Sequence, residues 1–134
     1  MSETTAHLAL LDAARDAASR AYAPYSSFRV GAALVTEDGT VVTGANIENA
    51  AYGATICAEA NAVTTAAATG ARRIDTVAVV CLDGAAPCTP CGNCRQILRE
   101  FGVETVVMQA EDGSPIGVPL SELLPMSFGP EAFT

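Results

Sequence analysis

The chain has 134 residues, half of them apolar, with a formal net charge of −8. That length suits one domain with a core needing no disulfide staples, and the acidic balance excludes extended nucleic acid as the main partner, though not a phosphate-free nucleoside. No apolar run of 18 or more residues could span a membrane, and Met1 to His7 lack the basic and apolar regions of a signal peptide, so a single cytoplasmic domain over residues 1–134 is expected.

In chain order, residues 5–22 place Leu8, Leu11, Ala14, Ala18 and Ala21 at spacings of three and four, which predicts an amphipathic helix. His7, the only histidine, falls in its first turn and is expected to be solvated. Pro24-Tyr25-Ser26-Ser27 breaks the helix. Phe28 to Thr36 reads as a strand, Asp38-Gly39 as a hairpin turn and Thr40 to Ile47 as the returning strand, with Gly44 marking a bulge or a close backbone approach. Asn46-Ile47-Glu48-Asn49 follows, where polar side chains can project into a cleft. Cys57 to Thr69 is Ala-rich and helix-forming, with Gly70 as its C-cap. The Val-rich run Ile74 to Leu82 has the character of a buried parallel strand. Pro90 precedes or opens a helix through Phe101, closed by Gly102. Val103 to Ala110 is a further strand, Asp112-Gly113 a turn, and Leu120 to Leu124 a short helix before Pro125. The tail from Met126 carries Phe128 and Phe133 without a regular pattern. Helices between strands predict a three-layer α/β domain: an antiparallel hairpin first, then strands added through helical crossovers.

The chemistry concentrates in Cys57-Ala58-Glu59 and Pro90-Cys91-Gly92-Asn93-Cys94-Arg95-Gln96. Five cysteines is an odd number, and Cys88, Cys91 and Cys94 fall within seven residues, a pattern of metal or redox chemistry more than of disulfides. Cys91 and Cys94 lie one turn apart on a helix face and can chelate one ion. If the two helix N-termini converge, Cys57 joins them, and backbone N–H groups with the helix dipoles offset the clustered thiolates. Three thiolates hold zinc with a fourth position open to water, and Glu59 can stand beside that position without being a ligand. Two rivals stay open on these residues. One is a closed four-cysteine structural zinc in a small interaction domain, with Cys88 or Cys81 as the fourth ligand. The other is an iron–sulfur cluster, since Cys88-x-x-Cys91-x-x-Cys94 echoes a ferredoxin run but continues with Arg95-Gln96 in place of a further cysteine and proline. Glu59 favours the open site, because a structural site has no use for a free carboxylate. Cys81 reads as a small hydrophobe in an apolar strand.

These segments resemble the cytidine deaminase family, in particular its short homotetrameric branch with a three-cysteine zinc site. The resemblance covers nearly the whole chain: Tyr25 to Leu34, Asn46 to Gly53, Cys57-Ala58-Glu59, Pro90 to Gln96, and Leu123-Leu124-Pro125 leading to Phe128. It implies an α/β/α fold with a mixed sheet and one Zn²⁺ per chain on Cys57, Cys91 and Cys94. The metal would lower the pKa of a bound water that attacks C4 of cytosine, and Glu59 would shuttle the protons. Cytidine and 2′-deoxycytidine would give uridine, 2′-deoxyuridine and ammonia, for pyrimidine salvage. By the same resemblance Asn46 and Glu48 read the ribose hydroxyl, Phe28 packs on the base, and Ala58 joins the substrate-binding set. Ala50, Tyr52 and Phe128 would complete a neighbouring subunit's pocket in a homotetramer.

One position departs from the family pattern. Arginine commonly follows the catalytic glutamate, where it offsets the thiolate charge; here that position is Ala60. Helix dipoles and Arg95 are expected to compensate. The departure also admits a relative acting on a modified aminopyrimidine nucleoside, like the blasticidin S deaminases, which resemble the chain around the cysteines but lack the Asn-Ile-Glu-Asn pattern.

Overall fold

The structure, a computed structural model, describes residues 2–134. Met1, the first residue of the stretch Met1 to His7 read above, lies outside them. In chain order the elements are α1 (Glu3–Ala18), β1 (Val30–Thr36), β2 (Val41–Ala45), α2 (Ala58–Ala68), β3 (Ile74–Cys81), α3 (Gly92–Glu100), β4 (Thr105–Gln109), β5 (Pro115–Pro119) and α4 (Leu120–Leu123). Short 3₁₀ turns cover Tyr52–Ala54 and Pro130–Phe133.

The strands form one mixed sheet in the order β2-β1-β3-β4-β5. β1 pairs antiparallel with both β2 and β3, β3 runs parallel to β4, and β5 closes the edge antiparallel to β4. The period-two alternation of the strands sorts their side chains onto two faces. Ala33, Ala78, Val80 and Val107 meet Leu10, Leu11 and Ala14 of α1, whereas Ala32, Leu34, Val77, Val79 and Val106 meet α2 and α3 through Ala62, Val63 and Leu98. The result is the expected three-layer α/β/α sandwich. Each fully buried Leu or Val contributes about 1.5–3 kcal/mol of apolar transfer, so both layers are strongly anchored.

Two glycines set the spacing. A Cβ on Gly31 would lie 1.9 Å from the carbonyl oxygen of Ala14, and one on Gly44 would lie 2.5 Å from the backbone nitrogen of Ala62. Gly44 therefore marks a close backbone approach: α2 lies directly on β2. The register irregularity in the sheet falls instead between Val35 and Thr36.

Several local expectations are corrected. Helix α1 starts earlier, on a Ser2 cap whose hydroxyl accepts from the Thr5 N–H at 3.1 Å, and stops at Ala18. Its buried stripe is Leu10, Leu11, Ala14, Ala17 and Ala18, while Leu8 is largely exposed and Ala21 lies beyond the helix. The two stripes share three positions, and the close approach at Gly31 selects the one that seats Ala14 and Ala18. His7 is half-buried, close to Gly117 of β5, instead of solvated. Strand β5 was not expected, because Ile116-Gly117-Val118 between two prolines offers no apolar run; pairing to β4 makes it a strand. An edge place tolerates its prolines.

Candidate metal centre and active site

Both crossover helices begin at a cysteine. Cys57 is the N-cap of α2 and Cys91 the N-cap of α3, each with extended backbone, and Cys94 lies in the first turn of α3. Pro90, fully buried, sits immediately before the second cap. The sheet brings these two helix starts together, so that the sulfurs of Cys57, Cys91 and Cys94 all lie within 4.8 Å of one another. Zn–S bonds of about 2.3 Å put tetrahedral sulfurs about 3.8 Å apart, so the three donors fit one zinc with a small contraction. Their softness fits as well. Cys88 and Cys81 stand outside this cluster, which removes the closed four-cysteine site among the described residues. It also removes the ferredoxin-like reading, which needs Cys88 as a donor.

The thiols titrate differently. Burial pushes Cys57 and Cys94 up, and the negative charge of Glu59 acts in the same sense on both. Burial acts in the same sense on Cys91, but the backbone N–H of Cys94, 3.5 Å from its sulfur, together with hydrogen bonds from the other two thiols, holds it below the usual range. An N-capping thiolate at a helix terminus is stabilised in this way. The Arg95 guanidinium is anchored by backbone carbonyls. Its Nε donates to the carbonyl of Pro90 and its Nη1 to the carbonyl of Leu123, each at 2.8 Å, so its hydrogen bonds tie the α3 start to α4 and reach no sulfur. The Cys94 N–H is a backbone donor that does reach a sulfur, that of Cys91.

Glu59, in the first turn of α2, is 4% exposed. Burial raises its carboxyl above the ordinary range. It opens, with Cys57, Ala58 and Cys91, onto a cavity of about 440 Å³ whose other walls include Phe28, Asn46 and Glu48. Seven of the residues singled out in the sequence thus share one cavity, and Cys94 completes the metal cluster behind it.

Another part of the cavity wall is a set of loops held by side chains. Residues 46–48 are strapped on both sides: Tyr22 exchanges backbone hydrogen bonds with Asn46 and Glu48 at 2.9 and 2.8 Å, and Ile47 pairs with Ile56 at 2.9 Å. The Asn46 amide accepts from the Val30 N–H and donates to the Phe28 carbonyl, both at 2.8 Å. Glu48 accepts from the N–H groups of Tyr25 and Ser26 at 2.9 and 3.2 Å and from the Ser26 hydroxyl. These bonds, led by the Ser26 hydroxyl, hold its carboxyl below the usual range. Phe28 is braced from behind. Asp83 accepts from Arg29 through backbone and side chain at 3.0–3.1 Å, which sets Gly84, φ +89°, where a Cβ would lie 2.7 Å from the Phe28 ring.

Ala50, Tyr52 and Phe128 are not brought to this cavity. Tyr52 is 77% exposed and meets Tyr25 edge-on at 6.1 Å, and Phe128 is 62% exposed against Phe133 at 5.7 Å. Sequence reasoning assigned no role to Ser26, Thr55 or Thr89, which also line the cavity. A serine in a turn just before a strand is the one sequence signal for Ser26, and nothing local pairs it with Glu48.

Fold and site together define a zinc-dependent hydrolase built on a mixed α/β/α sandwich. Residues 4–110 match the family model described as the cytidine and deoxycytidylate deaminase zinc-binding region. Among curated relatives, a cytidine deaminase of Halalkalibacterium halodurans is 45% identical over 91% of this chain and 93% of its own, and one of Mycobacterium tuberculosis is 44% identical over 87% and 84%. The crystal structure of cytidine deaminase from Burkholderia pseudomallei superposes with a TM-score of 0.84 at 45% identity, covering 91% of this chain and 98% of that one. The chain belongs to the cytidine deaminase family.

Proposed function

We propose that the chain deaminates cytidine and 2′-deoxycytidine hydrolytically, releasing uridine or 2′-deoxyuridine and ammonia. The observation that carries this reading is a cluster of three thiols and a buried carboxylate beside a cavity also lined by Asn46, Glu48 and Phe28. Zinc held by Cys57, Cys91 and Cys94 would supply the Lewis acidity that makes water nucleophilic near neutral pH. Glu59 takes a proton from the attacking water and gives it to N3 of the base, then carries the remaining proton of the new C4 hydroxyl to the amino group, which leaves as ammonia as the C4 carbonyl forms. Its burial keeps the carboxyl basic enough to take and return a proton, an effect that a bound dication would partly reverse. Phe28 packs on the base with Ala58 against its other side, and Asn46 and Glu48 engage the ribose 3′-hydroxyl.

The same reading treats residues 1–134 as one catalytic domain, cytoplasmic and assembled as a homotetramer. No helix among the described residues is long and apolar enough to cross a membrane. The exposed aromatics Tyr52 and Phe128, with Ala50, are the groups that a neighbouring subunit's pocket would take up.

Ultraviolet-monitored turnover of cytidine by zinc-replete protein, with Glu59→Ala as control, tests the reading. Turnover that vanishes in the variant while one zinc per chain remains supports it. Absence of turnover by the wild-type protein with zinc bound overturns cytidine as substrate.

A further inference from the structure

Ser26 joins two parts of the substrate wall that the chain keeps far apart. Its Oγ accepts from the Phe28 N–H at 3.0 Å and donates to Glu48 Oε2. The direction of both bonds is set by chemistry. A backbone N–H can only donate and an ionised carboxylate can only accept, so the single hydroxyl proton is committed to Glu48 and a lone pair to Phe28. The turn is shaped for this: Ser27 takes a left-handed φ of 59°, an uncommon state for a residue with a side chain, and the chain doubles back so that the Ser27 N–H reaches the Ala23 carbonyl at 3.0 Å.

The carboxylate's capacity fits the same picture. It offers about four acceptor sites, and the N–H groups of Tyr25 and Ser26 with the Ser26 hydroxyl take three. One site is left for an incoming hydroxyl. Its direction is set by where the three internal donors hold the group.

We propose that Ser26 is a substrate-positioning residue, which locks the ribose-reading Glu48 and the base-packing Phe28 into one hydrogen-bonded unit and so fixes the distance between sugar and base recognition. This rests on the assignment of a cytosine nucleoside to the cavity. Binding energy gathered at the sugar is then delivered with the ring already placed over the cavity wall, and a nucleoside lacking the 3′-hydroxyl leaves the fourth acceptor site of Glu48 unfilled.

The test compares wild-type, Ser26→Ala and Ser26→Thr enzymes, all zinc-replete, by two measurements. The first is steady-state kinetics on cytidine and 3′-deoxycytidine. Ser26→Ala is expected to raise KM for cytidine about tenfold with kcat changed less than about threefold, and to shrink the preference for cytidine over 3′-deoxycytidine by a similar factor. Ser26→Thr, which keeps the hydroxyl, restores both. The second is amide hydrogen exchange without substrate, where Ser26→Ala should speed exchange at Phe28 about tenfold or more and leave the sheet amides unchanged. Unaltered KM and preference, or unaltered protection at Phe28, overturns the proposal. If the wild-type enzyme turns over no cytidine, the substrate assignment fails, and exchange still decides whether Ser26 links the two parts of the wall.

Discussion

The two halves of the cavity are built by different means. On the metal side, Cys94 and Ala58 are fully buried, Glu59 is 4% exposed, and each cysteine is placed by a helix start packed on the sheet. On the substrate side, Ser26 and Phe28 are exposed and Glu48 is half-buried, and all three sit on loops whose shape depends on side chains bonded to backbone: Asn46 to Phe28 and Val30, Glu48 to Tyr25 and Ser26, Asp83 to Arg29. Chemistry on a metal needs donors held to tenths of an ångström, which close-packed layers supply. Recognition of a nucleoside needs polar groups that face water until the ligand arrives, which only loops present without burying unpaired backbone.

Substitutions should separate the halves by the quantity each one moves. The largest effect is expected from Cys94→Ala. Loss of a donor from a three-thiol site should abolish stoichiometric zinc and all deamination; metal analysis alongside turnover checks this, and a variant retaining one tight zinc would break the assignment. Glu59→Gln comes next: a fall in kcat of about 10²–10⁴-fold with zinc content and KM nearly unchanged, because the amide occupies the same space but cannot take up and return a proton. A fall in zinc content of the same size would mean that the carboxylate is a ligand.

A smaller pair of changes tests whether placement of α2 matters to activity beyond stability. Gly31→Ala and Gly44→Ala both drive a Cβ into helix backbone, at 1.9 and 2.5 Å respectively, and each should cost about 1–3 kcal/mol or more of stability. Gly31 faces α1, so its variant should melt earlier yet keep kcat where it is folded. Gly44 faces α2, which carries Cys57 and Glu59, so its variant should also lose kcat. Thermal melts with kcat measured well below each midpoint decide between them.

The smallest effect is remote from both halves. The hairpin residue Asp38 is held down to about 2 by the hydroxyls of Thr36 and Thr40 and the Thr40 N–H. A carboxyl depressed in the folded state stabilises above its ordinary range and loses that contribution as pH falls through the folded value. The melting difference between wild type and Asp38→Ala should therefore be constant above about pH 5, shrink between about pH 4 and 2, and leave kcat at neutral pH untouched. A difference independent of pH would assign it to turn packing instead.

What the amino-acid order determined by itself was local and periodic. Apolar stretches bounded by turn residues placed β1 to β4, glycines after Thr69 and Phe101 closed α2 and α3 in left-handed geometry, and a carboxylate two residues from a cysteine marked where chemistry belongs, since caps, turns and chelating spacings are settled within a few residues. Tertiary structure decided whatever depends on contacts far apart in the chain. It set the strand order β2-β1-β3-β4-β5, made a strand of Ile116-Gly117-Val118, chose between two overlapping stripes on α1, and bonded Arg95 to the carbonyls of Pro90 and Leu123. It also brought Cys57 to Cys91 and Cys94, which spacing could state only as a condition, and joined Ser26 to Glu48 across 22 residues. The physical reason is the same in each case: a residue's propensity is a property of its neighbours in sequence, while a partner for a buried or charged group is selected by the packing of layers, which no short window of sequence contains.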